Sequence, residues 1–247
     1  MTSRTIEARQ AGPVVADLSL QYGRIEVIVE RRDRAEVTLT TPASRGPAVD
    51  AVKGFALRDT RDGFRAHLEI PPTVVSGGGT TVIQGGGSVV VLGDNMHQVN
   101  HFSGSGSVVQ IGGSHGSVVV GGGNVSIGGG STVEMQVRLP ERSAIVVDAA
   151  HCPVLTQGRL GAASINFRHG NVQIDEVGAL NVQGAHGSVT VNALDGDANL
   201  HVTHGNIDIH ALRPCRVRAR TRHGNITVSG ARVDLDASAQ HGSVRNR

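Results

Sequence analysis

Apolar and polar residues alternate along most of this chain, and the alternation restarts at a near-constant step. Between residues 131 and 247 each run closes on a tetrad: His169-Gly170-Asn171-Val172, His186-Gly187-Ser188-Val189, His204-Gly205-Asn206-Ile207, His223-Gly224-Asn225-Ile226 and His241-Gly242-Ser243-Val244. The histidines are 17, 18, 19 and 18 residues apart. Counted from each His, positions −6, −4 and −2 read Ala163/Ile165/Phe167, Leu180/Val182/Gly184, Ala198/Leu200/Val202, Val217/Ala219/Thr221 and Leu235/Ala237/Ala239. Positions +3 and +5 read Val172/Ile174, Val189/Val191, Ile207/Ile209 and Ile226/Val228, and position +8 gives Val177, Leu194 and Leu212. A period of two marks strands with one buried face. The parity changes across His-Gly, as it must where a strand turns a corner and sends its side chains inward again.

The same register reaches upstream. His151 lies 18 residues before His169, with Ile145, Val147 and Ala149 behind it, and His115 lies 54 before, flanked by Val109, Ile111, Val118 and Val120. Tyr22-Gly23-Arg24-Ile25 holds the place of a tetrad between Ala16/Leu18/Leu20 and Ile25/Val27/Val29. Residues 41–53 read as a loop, and Phe55–Asp59 with Phe64–Ile70 as a hairpin turning at Asp62-Gly63. One 18-residue unit cannot bury its apolar side alone. Stacking units about 4.8 Å apart closes the backbone hydrogen bonds around a narrow core. The expected fold is all-β: a β-solenoid, or stacked β-strand repeat, with coils of about 18 residues. Three regions follow: 1–75 as an N-terminal strand and hairpin cap, 76–130 as a Gly-rich short-strand insertion, and 131–247 as regular repeats, all one continuous unit.

Composition narrows the function classes. Aromatic residues make up 2% of the chain and Trp is absent, so no core of large rings is available. The formal net charge is +2, which gives no electrostatic case for specific nucleic-acid binding. Two cysteines make no disulfide framework. No apolar run reaches the ~20 residues of a membrane span, and residues 1–10 lack the apolar core of a signal peptide. The expectation is a cytoplasmic protein, with export by a route lacking a classical signal left open.

The His-Gly-Asn/Ser-Val/Ile repeats, with Gly23-Arg24-Ile25-Glu26-Val27, Ala35-Glu36-Val37-Thr38-Leu39 and Val137-Arg138-Leu139-Pro140, resemble the putative adhesin family of β-strand-repeat proteins, a domain of unknown function. The resemblance covers residues 14–70 and 131–247, and the Gly-rich segment looks like an addition to it. It implies a right-handed helix-like stack of strands and no established enzymatic activity.

Several residues invite chemistry. The ladder His151, His169, His186, His204, His223 and His241 offers imidazoles that could bind Zn²⁺ or Ni²⁺ or respond to pH near 6.5. A corner role explains it more simply: Gly makes the turn, Asn/Ser form a side-chain ladder and His covers the outside. Arg216, Arg218, Arg220 and Arg222 alternate outward. The register sets Arg216 between Asp197 and Asp234, and Arg218 between Asn199 and Asp236. Arg220 and Arg222 lack acidic neighbours and are the candidate binding residues for an anion. Asp195/Asp197 and Asp234/Asp236 are paired carboxylates, but the chain offers one Tyr and four Phe as sugar platforms. Cys152 needs an electropositive, exposed setting to be reactive, and Cys215 falls near the core. The Gly-rich runs lack both the repeated Asp of calcium-binding repeats and the Gly-Lys-Ser/Thr of a phosphate loop.

The chain is therefore expected to have no enzymatic activity and no cofactor. It reads as a scaffold or interaction protein that associates with itself end to end, in a manner similar to bactofilin scaffolds. Alternatives are an adhesin-like binder of glycan or anionic polymer, and a His-ladder metal binder. Its partners would be further copies of itself, or a protein or polymer.

Overall fold

The computed structural model describes residues 1–70 and 132–246 in full, and the backbone of the strands Thr73–Gly77, Thr80–Gly85, Ser88–Gly93, Gly104–Gly112 and Gly123–Val125. Those five strands form a sheet of their own. The rung expected at His115 lies outside the described residues.

The rest is all-β apart from one short helix, Pro47–Gly54. The alternation of the sequence becomes rungs that lie in step. On one side of the core the parallel order runs Gly63–Leu68, the first half of Val15–Glu30, Ala144–His151, Arg159–His169, the end of Val172–His186, Ala198–His204, Cys215–His223 and Val233–His241. On the other side the order is Thr2–Ala11, Arg34–Thr41, Val133–Pro140, the second half of Val15–Glu30, Val154–Gln157, the start of Val172–His186, Val189–Leu194, Ile207–Ala211, Ile226–Gly230 and Val244–Asn246. Among the described residues only the pairings of Arg34–Thr41, with Thr2–Ala11 and with Val133–Pro140, are antiparallel on this side. The strands Val15–Glu30 and Val172–His186 each bend from one side to the other, so seventeen strands share one hydrogen-bonded sheet.

The inward columns are those read from the alternation. Ala163, Ile165, Phe167, Val182, Leu200, Val202, Val217 and Ala219 are buried, as are Val172, Ile174, Val189, Val191, Ile207, Ile209, Ile226 and Val228. Each buried Val, Ile or Leu contributes about 1.5–3 kcal/mol, so a rung with four or five of them gains what no single strand could. The interior is fitted between neighbouring rungs. Phe167 pairs with Gly184, and a Cβ at Gly184 would lie 2.2 Å from the Phe167 ring, so the phenyl group fills the space of the missing side chain.

Two expectations are corrected. Leu212, read as inward at +8, is 48% exposed, and Ala211 is buried instead. Asn192 and Ala193 stand against His210 alone, a bulge in the strand Val189–Leu194, so Leu194 pairs with Ala211, and the extra length of the step from His204 to His223 falls after Ala211. The stretch 41–53, read as a loop, contains the helix Pro47–Gly54. Pro47 opens it, Asp50 sits in its first turn and Lys53 in its last, which suits the helix dipole. Ala48, Val49 and Val52 pack it against Thr2–Ala11 and Arg34–Thr41. The expected hairpin is present in shortened form, with Arg58–Thr60 paired to Gly63–Leu68 and Phe55 buried.

Candidate functional site

The His-Gly corners form one column because each rung is locked onto the next. Gly170, Gly187, Gly205 and Gly224 have φ between 141° and 150°, a conformation nearly closed to other residues. Each sits over a carbonyl of the rung before it. A Cβ would lie 1.8 Å from the Gly170 oxygen at Gly187, and 1.9 Å from the Gly187 oxygen at Gly205. The backbone N–H of Gly187 donates to the His204 carbonyl and that of Gly205 to the His223 carbonyl, both at 2.8 Å.

Beside the glycines runs a ladder of Asn and Ser. Asn171 Oδ1 accepts from the Ser188 backbone N–H at 3.0 Å. Asn206 Oδ1 accepts from Asn225 N–H, and Asn225 Oδ1 from Ser243 N–H, each at 2.9 Å.

The imidazoles then have one place to go. His151 stacks on Tyr22 at 5.0 Å between ring centroids, and the six histidines follow at 4.6–4.9 Å, inclined to one another by 3–13°. This is the covering role expected of the tetrad. Parallel rings carry their nitrogen lone pairs in parallel planes, so those lone pairs do not meet at a point, as metal coordination requires. Among the described residues no group of three or more His, Cys, Asp or Glu side chains is disposed to hold a metal ion.

His151 is held below the ordinary histidine value, first by desolvation and then by His169 and Arg168. His223 is also lowered, by desolvation, His241, His204 and Arg222.

The outward arginines divide as the register predicts. Arg216 Nε lies 3.0 Å from Asp234 Oδ2, and its backbone N–H donates to Asp197 Oδ1 at 2.9 Å. Arg218 Nε lies 3.9 Å from Asp236 Oδ2. Arg220 stands between His201 and Ser238. Among the described residues neither Arg220 nor Arg222 forms an ion pair.

The paired carboxylates do not face one site. Asp195 pairs with Arg159 and, at 2.9 Å, with Arg213, while Asp197 holds Arg216 across the corner at Gly196. The Cys152 thiol is buried, donates to the Leu20 carbonyl at 3.3 Å and is pushed up to about 12 by desolvation. Cys215 is half-buried, and desolvation and then Asp197 raise its thiol.

One cluster escaped the sequence. Asp17 accepts from Arg65 Nε at 2.7 Å and lies 3.0 Å from His67 Nε2. Burial raises the Asp17 carboxyl, but the hydrogen bonds from His67 and Arg65 outweigh it and leave it below the ordinary value. The rung Gly63–Leu68 has no His-Gly corner to reveal its register, so its alignment with Asp17 was hidden.

No family model matches the chain and no curated protein matches it. It is similar to a solved putative adhesin from Bacteroides fragilis, at 11% identity and a TM-score of 0.46, over 100% of this chain and 97% of that one. A putative adhesin from Parabacteroides distasonis matches at 10% identity and 0.41, covering 100% and 96%. A putative lipid binding protein from Parabacteroides distasonis matches at 8% identity and 0.31, covering 99% and 96%. Among the described residues no helix is long and apolar enough to cross a membrane.

Proposed function

We propose that the chain is a non-enzymatic β-solenoid, with coils of about 18 residues, that serves as a scaffold and extends by pairing the rung Val233–His241 with another copy. The regions 1–75, 76–130 and 131–247 are cap, insertion and regular coils in this reading. The observation that carries it is the condition of the strand Val233–His241. Among the described residues it pairs with Cys215–His223 alone. Its inward residues Val233, Leu235, Ala237 and Ala239 are half-buried, whereas Val217, Ala219 and Thr221 one rung back are buried. A strand edge with apolar side chains on its inner face accepts another strand.

Sedimentation velocity over a range of concentrations tests the reading. Association that is abolished by Leu235→Lys with Ala237→Lys supports it, and a monomer at every concentration contradicts it.

A second reading, binding of glycan or anionic polymer on the outer sheet, is favoured by the unpaired state of Arg220 and Arg222 among the described residues. Loss of binding in Arg220→Ala with Arg222→Ala would support it.

A further inference from the structure

We propose that the histidine corner is itself a binding strip for a linear oxyanion polymer, a chain of phosphate or sulfate groups, engaged as the surroundings turn acidic. The site extends the polymer-binding reading, shares Arg222 with it, and otherwise lies on different residues.

The corner has a constant chemistry along its length. Five of the six stacked rings are exposed, and His204 is half-buried. Steps of 4.6–4.9 Å make a column of regularly spaced N–H edges. Asn171, Asn206 and Asn225 spend their side-chain oxygens on the backbone N–H of the next rung, which leaves their exposed amide NH₂ groups as donors. The charged residues bordering the column are Arg24 beside Tyr22, Arg168 beside His169 and Arg222 beside His223. No Asp or Glu directly precedes a ring of the ladder or follows its glycine. The opposite corner differs, because there Glu176 and Asp195 neutralise Arg159 and Arg213.

Such a strip is made for an anion with repeated charges. A neutral imidazole offers one donor and one acceptor, whereas an imidazolium offers two donors and a charge. Protonating neighbouring rings sets like charges one rung apart, beside Arg168 and Arg222; after desolvation, the charged groups that act on His151 and His223 are all His or Arg. A polyanion laid along the corner removes that repulsion. By linkage it binds more tightly as the rings take up protons, and it raises the pH at which they do so.

The test measures binding of fluorescent inorganic polyphosphate and of dextran sulfate at pH 8.0 and 5.5, with neutral dextran as a control. At least one polyanion should bind tenfold or more tightly at the lower pH, and which one does so tells phosphate from sulfate. His169→Gln with His186→Gln and His204→Gln should lose that enhancement, while Arg220→Ala should keep it. Loss of binding at both pH values in Arg220→Ala would assign the polymer to the outer sheet and overturn the corner site. Binding that is absent, independent of pH, or equally enhanced in the glutamine variant would also overturn it. If the triple variant fails to fold, imidazole NMR of the unaltered chain decides: saturating polyanion must raise the ladder's titration midpoints, and unmoved midpoints contradict the proposal.

Discussion

Replacing Gly205 by Ala tests whether the corner glycines are needed for turning alone or for stacking. The new Cβ would stand 1.9 Å from the Gly187 oxygen and 2.6 Å from its carbonyl carbon. Both are backbone atoms, so no side chain can swing away. A normal C···O separation of about 3.3 Å requires the rungs to part by more than an ångström. The bonds across that gap, from Gly187 N–H to the His204 carbonyl at 2.8 Å and from Val189 N–H to the Asn206 carbonyl at 2.9 Å, would stretch past their useful range. Their loss costs about 2 kcal/mol together, and a non-glycine residue at positive φ adds about 1–2. The total, about 3–4 kcal/mol, corresponds to a melting temperature lower by roughly 6–16 °C for a chain of this size. Gly12→Ala is the control, because Gly12 has φ 84° and nothing within 4 Å of a Cβ. It carries the turn strain without the contact and should cost about 1–2 kcal/mol. Urea denaturation followed by circular dichroism compares the two. Equal losses would refute the stacking argument and leave turn strain as the whole effect.

Stability should fall as pH drops below about 6.5, because His151 and His223 have lowered values in the fold and the unfolded chain takes up protons first. The depressed Asp17 carboxyl acts near pH 4 and below, so thermal melts between pH 7.5 and 5 isolate the histidines; flat midpoints would contradict the desolvation and charge repulsion that lower His151 and His223. Gly184→Val should cost about 1–3 kcal/mol by overpacking Phe167, and Phe167→Ala in the same chain should recover part of it. Additive effects in that double-mutant cycle would mean the two positions do not share space. Cys152 should resist thiol reagents until the chain unfolds, and Cys215 should react sooner; fast labelling of Cys152 in the native state would contradict its burial.

Much of this organisation was legible because a repeat sets inside and outside for every residue it covers. The inward columns from Ile145 to Val228, the place of Tyr22 at the head of the ladder and the partners of Arg216 and Arg218 all follow from counting between histidines. The reading failed where counting had no landmark. Leu212 faces outward because the strand before it carries a bulge between Val191 and Leu194, which matches Leu194 to Ala211, and no local signal marks where a bulge falls. The helix Pro47–Gly54 is too short for a clear period and follows a run that reads as turn. The insertion of Val133–Pro140 between Arg34–Thr41 and Val15–Glu30 is a long-range choice, with the five short strands of residues 73–125 intervening in the chain. The Asp17, Arg65 and His67 cluster depends on that kind of pairing and was hidden for the same reason.

The proposed solenoid requires that successive rungs stack in parallel and in step. Leu155, Gln173, Thr190, Asp208, Thr227 and Arg245 occupy one outward column through successive pairings. Nitroxide labels at Leu155→Cys and Arg245→Cys, in a chain whose two native cysteines are replaced by Ala, measure five rungs directly by pulsed electron resonance. The account predicts one narrow distribution centred at about 24 Å, from a rung spacing of about 4.8 Å. A centre beyond roughly 40 Å, or a broad distribution without a peak, would contradict a stack spaced at that distance.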